Sequence, residues 1–408
     1  MKILLVQESD WLTKGPHQQH HLMDRLSLKS HEIRVIDFEI AWKTQRRREI
    51  ISRRKIFSEV SKIYKEAKVT LIRPKIVKIP VLDMVSIIFS HLKEINRQIK
   101  EFRPDVIVGF GILNNYLAIK MAKMNGIPFV YYLIDELHTL VPYRLFQSFA
   151  KVMVSKILQG ADRVMVINDE LKDFAVRLGA DPKRIHIIRA GVDSDSFNPN
   201  IKGASIRKQY GMEMTDLVLF FMGTVFSFSG LKEVALDLAR VKDEYPNMKL
   251  LIVGQARTLE LQNELQEIRE KNSLQNHLIL TGRQPYEKIP SFVAASDICL
   301  LPAYNNEVMR SIVPMKMYEY MVSGKPVIST KLPGIIREFG YGNGVIYVNR
   351  PTGVIKKVIE LTSKGENFAE LGSQARSFVE RYSWDDITEE FERILEKTLQ
   401  NDFTWAKS

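Results

Sequence analysis

Cysteine is nearly absent: Cys299 is the one cysteine in 408 residues. No disulfide can form within the chain, and the apolar run DICLLP around Cys299 makes it a buried, inert thiol rather than a nucleophile. Such usage fits a reducing compartment. No apolar window approaches the roughly 20 residues of a membrane span, and the short apolar run in MKILLVQESD is too brief for a signal-peptide core. These absences predict an unanchored protein of the cytoplasmic side. There is no low-complexity tract or short-period repeat. No zinc knuckle, aromatic RNA-binding signature or helix-turn-helix pattern occurs, so no nucleic-acid partner is expected. His17, His20 and His21 in HQQHH have no cysteine or carboxylate at ligand spacing, so no metal site is expected there, and His20 and His21 are expected on a helix surface.

What the chain does have is ordinary globular composition, 45% apolar and 26% charged, over a length that suits two domains. Short apolar runs alternate with segments of helical period. KILLV, HEIRVID, DVIVGF, PFVYYLID and DRVMVIN read as strands, and HHLMDRLSL, NNYLAIKMAKMN and DELKDFAVRLG as helices between them. Strand, helix, strand in succession predicts parallel pairing with right-handed crossovers, a Rossmann-like doubly wound sheet. The polar, turn-rich stretch from Gly191 to Ala204 reads as a linker. Beyond it the alternation restarts with LVLFFMG, KLLIVG, HLILTG, DICLLP, PVIST and GVIYV. Two Rossmann-like α/β domains are therefore expected, over 1–198 and 199–382, with 383–408 carrying an amphipathic helix. Gly223, Gly254 and Gly282 each end a strand, where a missing Cβ lets a ligand approach the backbone.

The formal charge of +11 is unevenly spread. Between Lys43 and Lys78 stand 13 basic residues against 3 acidic ones, including Arg46, Arg47 and Arg48. Solvated helix faces are the foremost reading for this block and a surface for anionic lipid headgroups the second, with nucleic acid the least supported. The stretch VPYRLFQSFAKVMVSKIL is apolar, aromatic and basic together, which suits either an interfacial helix or one packed on a sheet.

The densest chemistry lies in VPMKMYEYMVSGKPVIST, from Val313 to Thr330. Proline at the start of a helix sacrifices only an amide that the helix leaves unused, and the remaining free amides and dipole favour an anion. Lys316 adds a cation in the first turn. Glu319, three residues on, shares its face and can accept hydrogen bonds from vicinal hydroxyls such as those of a ribose. Gly324 ends the helix. A surface ion pair between Lys316 and Glu319 is the competing explanation.

In order and spacing, DICLLPAYNNEVMRSIVPMKMYEYMVSGKPVIST resembles the signature region of the retaining glycosyltransferases of group 1, also called family four, which have GT-B architecture. GPHQQHHLMDRLSLKSHEIRVI resembles that family's glycine loop, first helix and second strand, and RAGVDSDSFNP resembles its interdomain segment. Ser383-Trp384 resembles the start of its returning C-terminal helix. The resemblance implies two facing Rossmann-like domains with a cleft, a nucleotide-diphosphate sugar donor held by the C-terminal domain, a glycan or lipid-linked acceptor on the N-terminal side, retention of configuration, and no metal or other cofactor. An anionic membrane surface is a further expected partner, with the protein peripheral at the inner membrane face.

The same resemblance assigns residues. Glu319 matches the ribose-binding Glu; the Glu expected eight residues earlier is Ser311, for which Glu307 or the amides of Ile312 and Val313 would substitute. Where the family commonly carries Arg and Lys after the first C-terminal strand, this chain has Thr224 and Ser229 in GTVFSFSGL. That leaves Lys316 as the principal cation for the diphosphate, with Arg283 supplementary. Gly15 corresponds to the glycine loop and His17 to a polar group beside the cleft. Asp135 and His138 match a family position that approaches the donor sugar. Two other readings remain: a catalytically silent nucleotide-sugar or glycan-binding subunit, and a GT-B nucleotide-sugar epimerase.

Overall fold

The computed structural model describes the chain except for residues 14–15, 40–48, 80–81, 142–143, 311 and 401–408. Contacts divide it into two units, residues 1–190 with 384–408, and residues 191–383. The first contains β1 (Lys2–Gln7), α1 (Gln18–Leu28), β2 (Glu32–Ile36), β3 (Lys55–Val60), β4 (Val69–Arg73), α2 (Leu82–Glu101), β5 (Val106–Phe110), α3 (Leu113–Met124), β6 (Phe129–Leu133), α4 (Arg144–Gly160), β7 (Arg163–Val166), α5 (Asp169–Arg177) and β8 (Ile185–Ile187). These strands form one sheet in the order β3-β4-β2-β1-β5-β6-β7-β8, parallel except for the edge strand β3. Every residue of β5 and β6 is buried, as befits strands covered by helices on both faces.

The second unit runs α6 (Ala204–Gln209), β9 (Leu217–Met222), α7 (Leu231–Val241), β10 (Met248–Val253), α8 (Leu259–Lys271), β11 (Leu278–Leu280), α9 (Ile289–Ala294), β12 (Ile298–Leu301), α10 (Met315–Val322), β13 (Val327–Thr330), α11 (Pro333–Phe339), β14 (Val345–Val348), α12 (Val354–Ser363) and α13 (Phe368–Val379). Its sheet is wholly parallel, in the order β11-β10-β9-β12-β13-β14. The order reverses between β9 and β12, and such a switch point opens a crevice at the carboxyl ends of the strands. Cys299, in β12, is fully buried, and burial pushes its thiol up to about 12, so it is inert as expected.

The last helix, α14 (Trp384–Gln400), returns to the first unit. Trp384 stacks on His21 with ring centroids 4.2 Å apart and planes within 3°, and Asp385 accepts from Arg25 Nε at 2.9 Å. His20 and His21 are therefore not on a helix surface; both are buried. His20 Nδ1 accepts from the His17 amide at 2.9 Å, leaving Nε2–H for the Trp11 carbonyl at 3.3 Å. This neutral tautomer agrees with a pKa that burial lowers to about 3.

Three strands escape the sequence pattern: β3, β4 and β8. The first two lie inside the basic block, so the described part of that block is not a set of solvated helix faces. Arg54 forms a two-pronged pair with Glu94 at 2.7 and 2.8 Å, and Arg73 bridges Asp37 and Asp10 at 2.6 and 2.8 Å. Lys78 pairs with Glu39 at 3.0 Å. Arg46, Arg47 and Arg48 lie outside the described residues. The segment read as a linker is also integrated: the Val192 amide donates to the Tyr382 carbonyl at 2.7 Å, and Phe197 is fully buried. The contact boundary accordingly falls at Gly191, before the expected 198/199.

Candidate functional site

The switch point of the second sheet is held open by a side chain. β9 and β12 pair only through Ile298–Leu219 and Cys299–Phe220. Further along, the Met222 amide donates instead to the hydroxyl oxygen of buried Tyr320 at 2.9 Å. Tyr320 belongs to α10, so the bond that satisfies the end of β9 also fixes α10 beside the crevice. Pro314 caps that helix with extended backbone, and Gly324, at φ +71°, follows its end.

Two turns of α10 thus place Lys316 against the end of β9. Its Nζ lies 4.0 Å from the centroid of the Phe221 ring, within cation–π range. A Cβ built on Gly223 would meet that Nζ at 3.1 Å, and Gly223 has φ +113°. Burial drives the Lys316 ammonium down to about 8, with Glu319 acting in the opposite direction. The cation is poorly compensated within the unit.

Glu319 lies half-buried on the same helix. Tyr286, in the loop after β11, donates its hydroxyl to Glu319 Oε1 at 2.9 Å. Burial nevertheless raises the carboxyl to about 7, opposed by the Tyr286 hydrogen bond and the Lys316 charge. The Tyr286 ring lies 5.9 Å from Phe197, and the charge of Asp193 reaches both Tyr286 and Glu319. Lys316 and Glu319 are therefore not a surface ion pair: their mutual attraction is a lesser effect than the desolvation each experiences.

Gly254, at φ +148°, completes the glycine end of the crevice. A Cβ there would fall 1.9 Å from the Gly223 carbonyl oxygen, and the Gly254 amide donates to Gly282 at 2.9 Å. Thr224 is exposed beyond Gly223, whereas the buried Ser229 hydroxyl accepts from the Phe226 amide at 3.0 Å and shapes the turn. Arg283 is exposed in the loop that carries Tyr286. Glu307 is exposed on a turn after β12, and no bond among the described residues joins it to Lys316 or Glu319. Ile312 is half-buried and Val313 buried just before the helix; Ser311 lies outside the described residues.

In the first unit, Gly15 also lies outside the described residues, and His17 caps α1 in an exposed position. Asp135 and His138 sit past the carboxyl end of β6. The Glu136 amide donates to Asp135 Oδ1 at 2.7 Å, and burial lifts the Asp135 carboxyl to about 6. His138 stacks on Phe174 at 5.5 Å with planes within 10°. Its buried Nδ1 has no partner among the described residues, and burial lowers its pKa. No hydrogen bond among the described residues links Asp135 to His138.

Tyr286, Tyr320 and Phe221 are the participants that sequence reasoning missed. Tyr320 was visible inside the quoted helix, but its bond to β9 depends on tertiary placement. Tyr286 sits in GRQPYEK, where only its proximity to Arg283 hinted at the site.

Comparison with known proteins matches residues 204–378 to Glycosyl transferases group 1 and residues 19–196 to Glycosyltransferase Family 4. An uncharacterized glycosyltransferase of Methanocaldococcus jannaschii is 24% identical over 63% of this chain and 64% of its own length. The putative teichuronic acid biosynthesis glycosyltransferase TuaH of Bacillus subtilis is 28% identical over 44% of this chain and 42% of its own. These matched stretches thus span less than two thirds of either relative. Among solved structures, Anabaena HepE in complex with UDP superposes with a TM-score of 0.73 at 15% identity, covering 97% of this chain and all of that one. Sucrose-phosphate synthase of Thermosynechococcus elongatus gives 0.75 at 13% identity, over 98% of this chain and all of that one.

Proposed function

The chain belongs to the group 1 glycosyltransferases and has their two-domain GT-B fold, and from this premise we propose that it transfers a sugar from a nucleoside-diphosphate sugar to an acceptor hydroxyl. The observation that carries the reading is Lys316 Nζ, 4.0 Å above the Phe221 ring and beside Gly223, one helical turn from Glu319. A diphosphate lodged against Gly223 meets the ammonium and the first amides of α10 together. The ribose then lies along the helix toward Glu319, whose carboxylate accepts from its hydroxyls while Tyr286 holds the side chain in place.

Breaking the glycosidic bond leaves negative charge on the diphosphate, and a preorganised cation in a desolvated crevice stabilises that charge as it grows. In this reading Lys316 and the helix dipole supply the electrostatic stabilisation without a metal ion. The acceptor hydroxyl attacks from the side of the departing phosphate, retaining configuration, and a phosphate oxygen takes its proton. Complexes of HepE with UDP and UDP-glucose support a nucleotide sugar as donor. The excess of basic residues supports a lipid-linked acceptor at an anionic membrane face.

Thermal unfolding in the presence of UDP-, GDP- and ADP-sugars identifies the donor, since a ligand bound by the native state alone raises the midpoint. Transfer or hydrolysis of that donor then tests the activity. Lys316→Ala and Glu319→Ala are expected to abolish turnover in folded protein, and full turnover by both would sink the assignment. The exposed Thr224 and the turn-bound Ser229, where cations were expected, favour one alternative, a silent nucleotide-sugar-binding subunit. That alternative predicts a donor-induced thermal shift without turnover.

A further inference from the structure

We propose that the outer face of α2, α3 and α4 docks on an anionic lipid bilayer. Each of these helices follows a strand of one parallel sheet and makes its crossover in the same direction along it, so right-handed connections put all three on one face. α2 packs on α3, and α3 on α4. The helices run the same way, and their N-terminal ends lie together at the carboxyl edge of the sheet.

That shared direction sorts the solvent-facing residues. Toward the N-terminal ends stand Leu82, Val85 and Phe89 of α2, and Phe146, Phe149 and Val152 of α4, all exposed; Phe89 is 70% and Phe149 64% accessible. Toward the C-terminal ends stand exposed Lys93 of α2, Lys120 and Lys123 of α3, and Lys156 of α4, with exposed Met124 at the end of α3 and exposed Lys151 beside Val152 in α4 as the exceptions. Lys120 Nζ rests 4.4 Å from the Tyr116 ring, and the Lys156 charge reaches the same phenol, so these two helices share one basic field. These three helices present little negative charge to solvent, and the nearest acids on this side of the sheet are Asp169, Glu170 and Asp173 of α5. α3 and α4 contain none; in α2, Asp83 and Glu94 are buried, and only the final residue, Glu101, is exposed.

Aromatic side chains grouped at one end, with lysines behind them and one exposed acid on the same three helices, match a headgroup layer: rings enter the boundary with the acyl chains and ammonium groups reach phosphates. No helix among the described residues is long and apolar enough to cross a membrane, so the attachment is interfacial. The basic block between Lys43 and Lys78 is less suited, because Arg54, Arg73 and Lys78 are already neutralised within the unit. The apolar end adjoins the carboxyl edge of the sheet, where ligands of such sheets bind. A lipid-anchored acceptor would arrive there. Only this last step rests on the transferase reading; docking itself does not.

The test is sedimentation of the full chain with phosphatidylcholine vesicles, with and without phosphatidylglycerol. Binding is expected on the anionic vesicles, weaker with added salt, and about fivefold weaker for each lysine removed in Lys93→Gln, Lys120→Gln and Lys156→Gln. Phe89→Ser combined with Phe149→Ser should lower binding at least as much. Arg53→Gln with Lys55→Gln and Lys75→Gln, exposed residues of the basic block, should change it little. No binding by the unaltered chain, equal binding to both vesicle types, or loss confined to the Arg53 set would overturn the proposal. So would a dimer that the phenylalanine substitutions dissociate, which would make this face a contact between copies. The donor-induced thermal shift on the same variants keeps the questions apart: it should persist when docking is lost, and its absence throughout would count against the donor site alone.

Discussion

The hydroxyl of Tyr286 donates to Glu319 Oε1 at 2.9 Å, joining the loop after β11 to α10 across 33 residues of chain. A carboxylate that desolvation pushes toward neutrality is thereby held in place and kept closer to its ionised form. In the proposed function the two residues act as one ribose-binding group.

Tyr286→Phe should weaken donor binding while sparing the chemical step. The phenyl ring retains the contact with Phe197, but Glu319 loses its donor and its pKa rises further. A hydrogen bond to a charged group contributes about 1.5–3 kcal/mol, so KM for the donor should rise roughly tenfold or more with kcat nearly unchanged. Steady-state kinetics near neutral pH checks this; a fall in kcat alone would contradict the assignment.

Lys316→Met should separate stability from function. In the unliganded protein the ammonium is desolvated and faces an aromatic ring, so an apolar side chain of similar length relieves a cost. The melting midpoint is expected to rise by about 2–4 °C, the shift that roughly 1 kcal/mol produces in a domain of this size. Donor affinity should fall about a hundredfold through loss of a desolvated charge contact. Calorimetry or fluorescence melting, paired with donor titration, reads both.

Much of this architecture was legible because buried parallel strands announce themselves: VIVGF, FVYYL and LLIV are short, wholly apolar and bounded by turns. β3 was not legible, since an edge strand in which Lys55, Ile56, Ser58 and Glu59 are all exposed lacks any apolar repeat. β4 has better alternation, VTLIR, but is hidden by the flanking charges. At the candidate site, the shared face of Lys316 and Glu319 could be read from helix spacing, and their assignment to a donor came from the family resemblance, whereas the contacts of Tyr286 and Phe221 could not be read, because they arise from the stacking of separate βα units. The histidines misled for a related reason. His21 looks polar in sequence, but the returning Trp384, 363 residues later, covers it completely.

Gly254→Ala should be more damaging than Gly223→Ala, although both glycines occupy left-handed backbone. A Cβ on Gly254 collides with backbone, the Gly223 carbonyl oxygen at 1.9 Å, whereas one on Gly223 meets the movable end of Lys316 at 3.1 Å. Gly254→Ala is expected to lower stability by several kcal/mol, in the range of strain at a special backbone conformation plus an unavoidable clash. Gly223→Ala should fold, with an additional defect in donor binding because the methyl group occupies the anion's approach. Denaturant unfolding and donor titration distinguish them.

The pH dependence should reveal the Lys316–Glu319 pair from both sides. Values of kcat/KM report the free enzyme, in which the carboxyl titrates near 7 and the ammonium near 8. Ribose binding by an ionised carboxylate is lost as pH falls below about 7, and diphosphate attraction is lost as pH rises above about 8, giving a narrow bell whose limbs belong to the coupled pair. Lys316→Arg, if it retains turnover, should remove the alkaline limb, since guanidinium stays protonated. Stability without donor carries the opposite information. Glu319 has a folded pKa above its ordinary 4.5, so the folded state binds the proton more tightly and stability falls as pH rises from 4.5 toward 7. Lys316 has a folded pKa below its ordinary 10.5, so the unfolded state holds more protons between about 8 and 10.5 and stability rises there. Glu319→Gln should therefore gain stability relative to the unaltered chain between pH 5 and 7. Unfolding midpoints measured at both ends of that interval decide it: a constant difference between the two proteins would mean that Glu319 does not titrate there.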